Sequence, residues 1–439
     1  MHSTIRTRHS QRRILYSNAL IWSIGNALTS SIVLIFMMAA YGFSSPLVIA
    51  AIFAAPFLGR IFQPFLPAIL QKFPFRKNLC ISLYVGQVLV LWLLLGTHFL
   101  PVGASAKFWL MLGFWALANL LEVMSYAVFL SWNRLLFPAR TLGRFYARRE
   151  IFKILGEVLT IVGLAIPGTI AIISGAFEIP RFEPPFFWGV VAAGTLFILG
   201  SVFFLRLLPE RRYEIPEIAG SALRRDFQRF LRPFRERKFW PFLIYGALFS
   251  FFLQFEQVSQ TTFQKIILQG AVFVPFLGMQ AVRVVPRFPQ IFLARWVGKL
   301  VDRYGTLNVM ICSQLLTAVP LLFYAFAKPG MGWMLYVAAV IWGSYVGLNV
   351  ALPKFLLEIS DPRDDTPWLA AYGLAGSLAG FAAVFLGGWF CRAFSGWPNY
   401  YVWFFLLAFG WRALLALPLI WAKRKSGRIS LAAEEPETR

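Results

Sequence analysis

The sequence predicts an all-α membrane protein of twelve transmembrane helices arranged as two pseudo-symmetric six-helix bundles. Three observations carry that expectation. The 439-residue chain is 59% hydrophobic and 14% charged, with a mean hydropathy of +0.66; soluble domains hold about 45–50% apolar and about 25% charged residues. Its apolar residues gather in long runs of about 20, not in the short alternating segments of a membrane barrel. A polar segment over residues 209–238 divides those runs six and six. So much apolar surface cannot be buried in one aqueous core. A soluble enzyme, a secreted disulfide scaffold and a disordered chain are thereby excluded.

Taken in order, the spans fall near 14–40, 46–70, 79–99, 108–132, 151–174, 186–208, 240–261, 277–300, 307–327, 332–357, 367–391 and 400–422. A basic tail over 1–13 precedes the first stretch, which runs past Ala40. That is too long for a cleaved signal and reads as a retained helix. The domain plan is then a first bundle over 14–208, a central loop over 209–238, a second bundle over 239–422 and a second basic tail over 423–439. Lys and Arg crowd the two tails, the central loop and the short connections on one side. The opposite connections hold only Lys107, Arg181, Lys265, Lys328 and Arg392. The positive-inside rule therefore places both termini in the cytoplasm. It also accounts for the net charge of +23 without a nucleic-acid partner. In the central loop Leu223, Phe227, Phe230, Leu231 and Phe234 recur at helical spacing among arginines. That pattern fits an amphipathic helix on an anionic leaflet or a solvated linker between bundles.

Side-chain chemistry narrows the function. Cys80, Cys312 and Cys391 lie in apolar runs without ligand spacing, and His2, His9 and His98 avoid the depths of the spans. No metal, cofactor or catalytic residue is expected, and no Gly-x-x-x-x-Gly-Lys-Ser/Thr loop points to ATP. Polar residues do enter the spans, where they are costly unless they face a cavity or a partner. Span 1 carries Asn18, Trp22, Asn26 and Thr29; span 4 carries Asn119, Glu122 and Tyr126; span 7 carries Gln254, Gln257 and Thr261 with Glu256 and Gln260 beside them; span 10 carries Tyr345 and Asn349. Spans 3, 6 and 12 are nearly bare apart from Gln87, Thr195, Ser201 and Arg412.

Span 8 holds Arg283 and Arg287, whose i, i+4 spacing puts two guanidiniums on one helical face. Such a fork suits a carboxylate or phosphate, with Arg60 of span 2 as a third positive group. The other readings are buried pairing with Glu122 or Glu256, or snorkelling to the membrane surface. Glu122, Glu157 and Glu256 are the acids deep enough to carry protons.

The loop after span 8 reads Gly298-Lys299-Leu300-Val301-Asp302-Arg303-Tyr304-Gly305, and the loop after span 2 keeps only the basic residues Lys72, Arg76 and Lys77. With twelve spans, a duplicated six-helix unit and a Gly-x-x-x-Asp-Arg-x-Gly stretch between spans 8 and 9, the chain resembles the major facilitator superfamily of secondary transporters over residues 12–425. The resemblance implies that helices 1, 4, 7 and 10 line a central cavity, where the polar stripes fall. It also implies that Gly298, Asp302, Arg303 and Gly305 act as a cytoplasmic gate against the start of helix 11, behind Asp361, Asp364 and Asp365. Gly298 is expected to mark a close helix contact.

The function expected is movement of a small solute, with anions the class the arginines would suit, by alternating access of two bundles. The solute contacts expected are Asn26, Arg60, Asn119, Glu122, Tyr126, Gln257, Arg283, Arg287, Tyr345 and Asn349. A lipid or amphiphile exporter of the same fold is the first alternative. A membrane-embedded transferase is the second, disfavoured because the spans lack clustered Asp and His. The expected setting is the bacterial inner membrane, multi-pass and monomeric, with lipid and solute as the partners.

Overall fold

A backbone in hydrocarbon must satisfy its own N–H and C=O groups, and among the described residues every regular element is helical. The computed structural model describes residues 2–62, 73, 75–136, 139–173, 184–210, 230–268, 275–359 and 366–433. Seventeen α-helices run in chain order. They are α1 (His2–Leu28), α2 (Ser31–Ala40), α3 (Pro46–Ile61), α4 (Arg76–Gly96), α5 (Ala104–Leu136), α6 (Ala139–Ile173), α7 (Pro184–Arg206), α8 (Trp240–Ile267) and α9 (Pro275–Val284). After these come α10 (Arg287–Tyr304), α11 (Thr306–Ala318), α12 (Pro320–Phe326), α13 (Trp333–Ile341), α14 (Tyr345–Ile359), α15 (Thr366–Phe394), α16 (Tyr400–Leu414) and α17 (Ala416–Ala433). Among the described residues nine helical stretches are long and apolar enough to cross a membrane. Helices α3, α6 and the α9–α10 pair overlap the second, fifth and eighth expected spans and are not among those nine.

By its internal contacts the chain divides into two units. The first contains α1–α7 and α9, and the second contains α8 and α10–α17. The same pairing plan repeats in both. In the first unit α1 packs on α6 and α7, α5 on α3 and α4, and α4 on α7. In the second unit α8 packs on α15, α16 and α17, α14 on α10 and α11, and α11 and α12 on α16. Numbered by span, the pairs 1–5, 1–6, 2–4, 3–4 and 3–6 recur as 7–11, 7–12, 8–10, 9–10 and 9–12. A duplicated six-helix plan is therefore legible in the packing even where the two halves share little sequence.

Small residues let these helices approach, as lipid-embedded packing requires. A Cβ added at Gly25 of α1 would sit 2.7 Å from the Gly194 carbonyl oxygen of α7, and one at Gly156 of α6 would sit 2.5 Å from the Leu20 carbonyl oxygen of α1. In the second unit Gly387 of α15 lies against the Phe255 carbonyl of α8, and Gly246 of α8 lies against the Tyr372 ring of α15. Neutral polar bonds pin the same crossings. The Asn18 amide of α1 donates to the Ser201 carbonyl of α7 at 2.9 Å, and the Ser23 hydroxyl donates to the Lys153 carbonyl of α6. At the end of α7 the Lys77 ammonium donates to the carbonyls of Arg206 (2.8 Å) and Leu208 (2.7 Å). A cation there complements the negative end of the helix and satisfies orphan acceptors.

Two expectations about local structure are corrected. Span 8 is not one continuous helix: Val285 and Pro286 form a turn between α9 and α10. The proline lacks an N–H and its ring clashes with the preceding turn, so the ladder breaks there. Arg283 and Arg287 thus belong to different helical segments. Gly298 does not mark a close crossing, because among the described residues nothing lies within 4 Å of a Cβ built on it. The central-loop helix falls mostly outside the described residues. Its described end, a helical turn over 230–235, packs Phe230 and Phe234 on the second unit's core of Phe239, Phe242 and Tyr245. Those two rings are partly buried on that core.

Candidate functional site

The second unit holds a carboxylate and a guanidinium that are both almost fully sealed, at 0% and 1% side-chain exposure. Glu256 stands on α8 and Arg412 on α16. Arg412 Nη2 donates to Glu256 Oε2 at 2.8 Å, and its Nε lies 3.0 Å from Oε1 and 3.2 Å from Oε2. This is the fork-on-fork geometry that makes arginine–carboxylate pairs strong and directional. The remaining lone pairs are filled as well: Trp411 Nε1 donates to Oε1 at 2.6 Å, and Gln260 Nε2 donates to Oε2 at 3.1 Å. Consecutive residues of α16 therefore grip one carboxylate, while the Trp411 ring stacks on Phe252 at 5.3 Å. The third guanidinium nitrogen, Nη1, donates to the Tyr345 hydroxyl at the head of α14. Behind the pair, Gln314 of α11 donates to the Arg412 carbonyl at 3.0 Å and accepts from the Tyr245 hydroxyl at 2.9 Å. A buried charge pair survives only when each group is matched in this way.

Asn349 follows Tyr345 by one turn and is exposed, while Gln257 is half-buried on α8 with its carbonyl accepting from Thr261. Arg287 opens α10 and donates to Gln290 Oε1 at 3.2 Å. Of the acids assigned to proton work, Glu256 is the one whose oxygens are all engaged. A proton arriving there would have to displace Arg412, Trp411 and Gln260.

The first unit carries a looser cluster. Glu122 of α5 accepts from Gln87 Nε2 of α4 at 3.4 Å. Arg60, Lys153 and Arg283 all act on it electrostatically, and Lys153 is itself paired with Glu150 at 3.0 Å. Arg60 sits in the last turn of α3 over the Phe57 ring, at 5.7 Å from its centroid. Arg283 ends α9, which packs on α6 and α2. Glu157 is buried in α6. Asn119 is buried and its amide donates to the Trp115 carbonyl of its own helix, so it helps shape α5 and offers less to a solute. Asn26 is half-buried and Tyr126 is 39% exposed. Of the expected residues the structure brings together Arg60, Glu122 and Arg283 in one unit, and Glu256 with Tyr345 in the other.

Three residues escaped the sequence reading. Arg412, Trp411 and Gln314 lie on spans 12 and 9, which the resemblance does not place beside a cavity. The signal was present, since Arg412 is one of four basic residues inside spans.

At the loop after α10, Gly305 has φ +83° and ψ 152°, a region open almost only to glycine. Its N–H donates to the Val301 carbonyl at 3.0 Å and closes the helix. Arg303 is exposed and lies over the Tyr304 ring at 5.3 Å. The Asp302 side chain and residues 361–365, with Asp361, Asp364 and Asp365, lie outside the described residues. Gly305→Ala is expected to strain the turn by about 1–3 kcal/mol, read as a lowered melting temperature of the detergent-solubilised protein; an unchanged melt would show that the turn adapts.

The fold and the family agree. A sequence model of the major facilitator superfamily matches residues 284–438. The match covers about a third of the chain, whose second part is thus similar to that superfamily. No curated protein matches its sequence. Among solved structures it is similar to a mutant form of the nucleoside transporter NupG, with 14% identity, a TM-score of 0.67 and coverage of 94% of this chain and 99% of that one. It is also similar to a D-xylose-proton symporter, at 14% identity, a TM-score of 0.66 and coverage of 93% and 96%. The E. coli fucose:proton symporter FucP gives 15%, 0.57, 93% and 98%. At such identities the likeness is one of fold. The repeated pairing of helices described above fits that fold, and the apolar helices long enough to cross a bilayer indicate a multi-pass membrane protein.

Proposed function

We propose that this protein carries a small anionic solute across the bacterial inner membrane by alternating access of two six-helix bundles, over 14–208 and 239–422, with both termini cytoplasmic and as a monomer. The observation that carries the anion is the set of basic groups that act on Glu122: Arg60, Arg283 and Lys153, the last also paired with Glu150 at 3.0 Å. Basic groups within a membrane span attract negative charge. A carboxylate-bearing solute supplies that charge, and guanidiniums suit its planar oxygens. Asn26 and Tyr126 in the first unit, and Gln257, Arg287 and Asn349 in the second, are the further polar groups proposed to meet the solute. Tyr345 and Asn119 contribute shape, since both already hold partners. Glu122 is the proposed proton carrier. Two of the similar structures are proton symporters, and Glu122 has the open coordination that Glu256 lacks. Gly298, Asp302, Arg303 and Gly305 are proposed as the cytoplasmic gate, with Gly305 supplying its turn.

The test is uptake into proteoliposomes of radiolabelled lactate and succinate beside D-xylose and uridine. Carboxylate uptake is expected to exceed neutral uptake. Arg283→Gln should weaken apparent affinity about tenfold to a hundredfold, the equivalent of one charge-assisted hydrogen bond. Uptake of the neutral solutes alone, unaffected by Arg283→Gln, would overturn the anionic reading. Selective transport of a lipid amphiphile would favour the exporter alternative.

A further inference from the structure

The ion pair in the second unit is more than a packing device, because of where its third nitrogen points. Span 10 is not continuous: α13 ends at Ile341, a 3-10 turn covers Trp342–Ser344, and α14 begins at Tyr345. Tyr345 is thus the first residue after a joint in the helix. The joint is tightly seated, since a Cβ on Gly343 would lie 2.7 Å from Pro289 Cβ and 3.3 Å from the Pro286 carbonyl oxygen. The break in span 10 therefore packs against the start of α10. A helix that resumes after such a joint needs something to set its direction. Arg412 reaches it from α16, with Nη1 on the Tyr345 hydroxyl and the guanidinium carbon 5.9 Å from the centre of the Tyr345 ring.

Arg412 is itself held from both ends. Its head is locked by the two oxygens of Glu256 and its backbone carbonyl by Gln314. The chain of contacts runs from α8 through Glu256 to Arg412 of α16 and then to Tyr345 of α14. The Tyr345 hydroxyl also bonds to the Thr317 side chain of α11, whose own hydroxyl donates to the Gln314 carbonyl. Three helices thus meet at one guanidinium, and a fourth, α11, holds the Arg412 backbone carbonyl. We infer that Arg412 is a positioning residue: charged and oriented by Glu256, it fixes Tyr345 and with it the head of α14, so that Asn349 is presented at a set angle. This rests on the proposed function only in taking α14 as solute-facing. The geometry itself can be tested without any solute.

The probe is N-ethylmaleimide and the reporter is Asn349→Cys, one turn beyond Tyr345 and exposed. Labelling of the reconstituted full-length chain is read peptide by peptide by mass spectrometry. Cys312, which is exposed, and Cys80 and Cys391, which are buried, serve as internal standards. The double variant Glu256→Gln/Arg412→Gln removes both charges together and leaves neither orphaned. Tyr345→Phe removes only the hydroxyl that Arg412 holds. Each is expected to change the labelling rate at position 349 by about fivefold or more, and by the same factor. Combining them is expected to change it no further, because both cut one path. Cys312 should be unaffected, and Cys80 and Cys391 should stay unreactive. An unaltered rate at position 349 would overturn the inference. So would effects that multiply, or labelling of Cys80 and Cys391, which would mean general loosening. Position 349 unlabelled in every protein would place it in hydrocarbon and overturn it as well. None of these outcomes depends on which solute is carried, so failure here is distinguishable from failure of the anionic reading.

Discussion

Arg412→Ala is expected to destabilise the second unit by about 3–5 kcal/mol, enough to prevent accumulation of folded protein in many membrane contexts. The cause is the orphaned partner. Glu256 is fully buried, and without the guanidinium its two oxygens keep only Trp411 and Gln260. Glu256→Ala is expected to be as severe, since it strands Arg412 with the Tyr345 hydroxyl alone. The paired change Glu256→Gln/Arg412→Gln should be milder than either alanine variant, because no uncompensated charge remains. Detergent melts followed by size-exclusion chromatography decide the matter. If either alanine variant melts like the parent, the pair contributes little and water reaches it. The comparison with the first unit gives scale. There the same span pairing is pinned by the neutral bond from Asn18 to Ser201. Neutral interhelical bonds in membranes are worth only about 0.6 kcal/mol on average. Asn18→Ala should therefore be tolerated where Arg412→Ala is not, although both residues sit at the same joint of the repeated plan.

Much of this fold is legible in the sequence, for physical reasons. Lipid leaves a helix as the default and makes its length readable as an apolar run, so the order of the spans follows from composition alone. The breaks were harder. Pro286 and Pro289 mark a disturbed span 8, but proline is common in membrane helices and does not say whether the ladder bends or parts. Here it parts, and Arg283 and Arg287 fall on two helical segments instead of one. Which polar residue meets which is less legible still. The glutamates of spans 4 and 7 are visible as costly groups needing partners, and arginine is the natural partner. Only the arrangement of helices shows that Glu256 takes Arg412 of span 12 and not the nearer-seeming arginines of span 8. Gly298 is a different kind of miss. A glycine in a loop motif reads as close packing, yet Gly305, seven residues on, is the one whose backbone conformation requires glycine.

Glu122→Gln is expected to separate solute movement from proton movement. In the parent, uptake of a carboxylate into proteoliposomes should rise as the outside is made acidic, because Glu122 must be protonated before the cluster of Arg60, Lys153 and Arg283 can release its own internal counter-ion and accept the solute's. Glutamine preserves the shape and the contact with Gln87 but fixes the neutral state. Uptake by Glu122→Gln should then be independent of the pH gradient, while exchange of labelled for unlabelled solute across the membrane persists. The charge argument also sets a direction for affinity. Removing the charge of Glu122 leaves the site more positive, so the variant should bind the anion at least as tightly as the parent. Glu256→Gln is not informative on this point, since its first effect is on stability. Two results would sink the assignment: gradient-driven uptake by Glu122→Gln equal to the parent's, or loss of exchange and uptake together in a protein that melts normally. The first would move the proton to Glu157 or to no side chain of the first unit. The second would make Glu122 a direct solute contact whose carboxylate accepts a hydrogen bond that glutamine cannot accept as well.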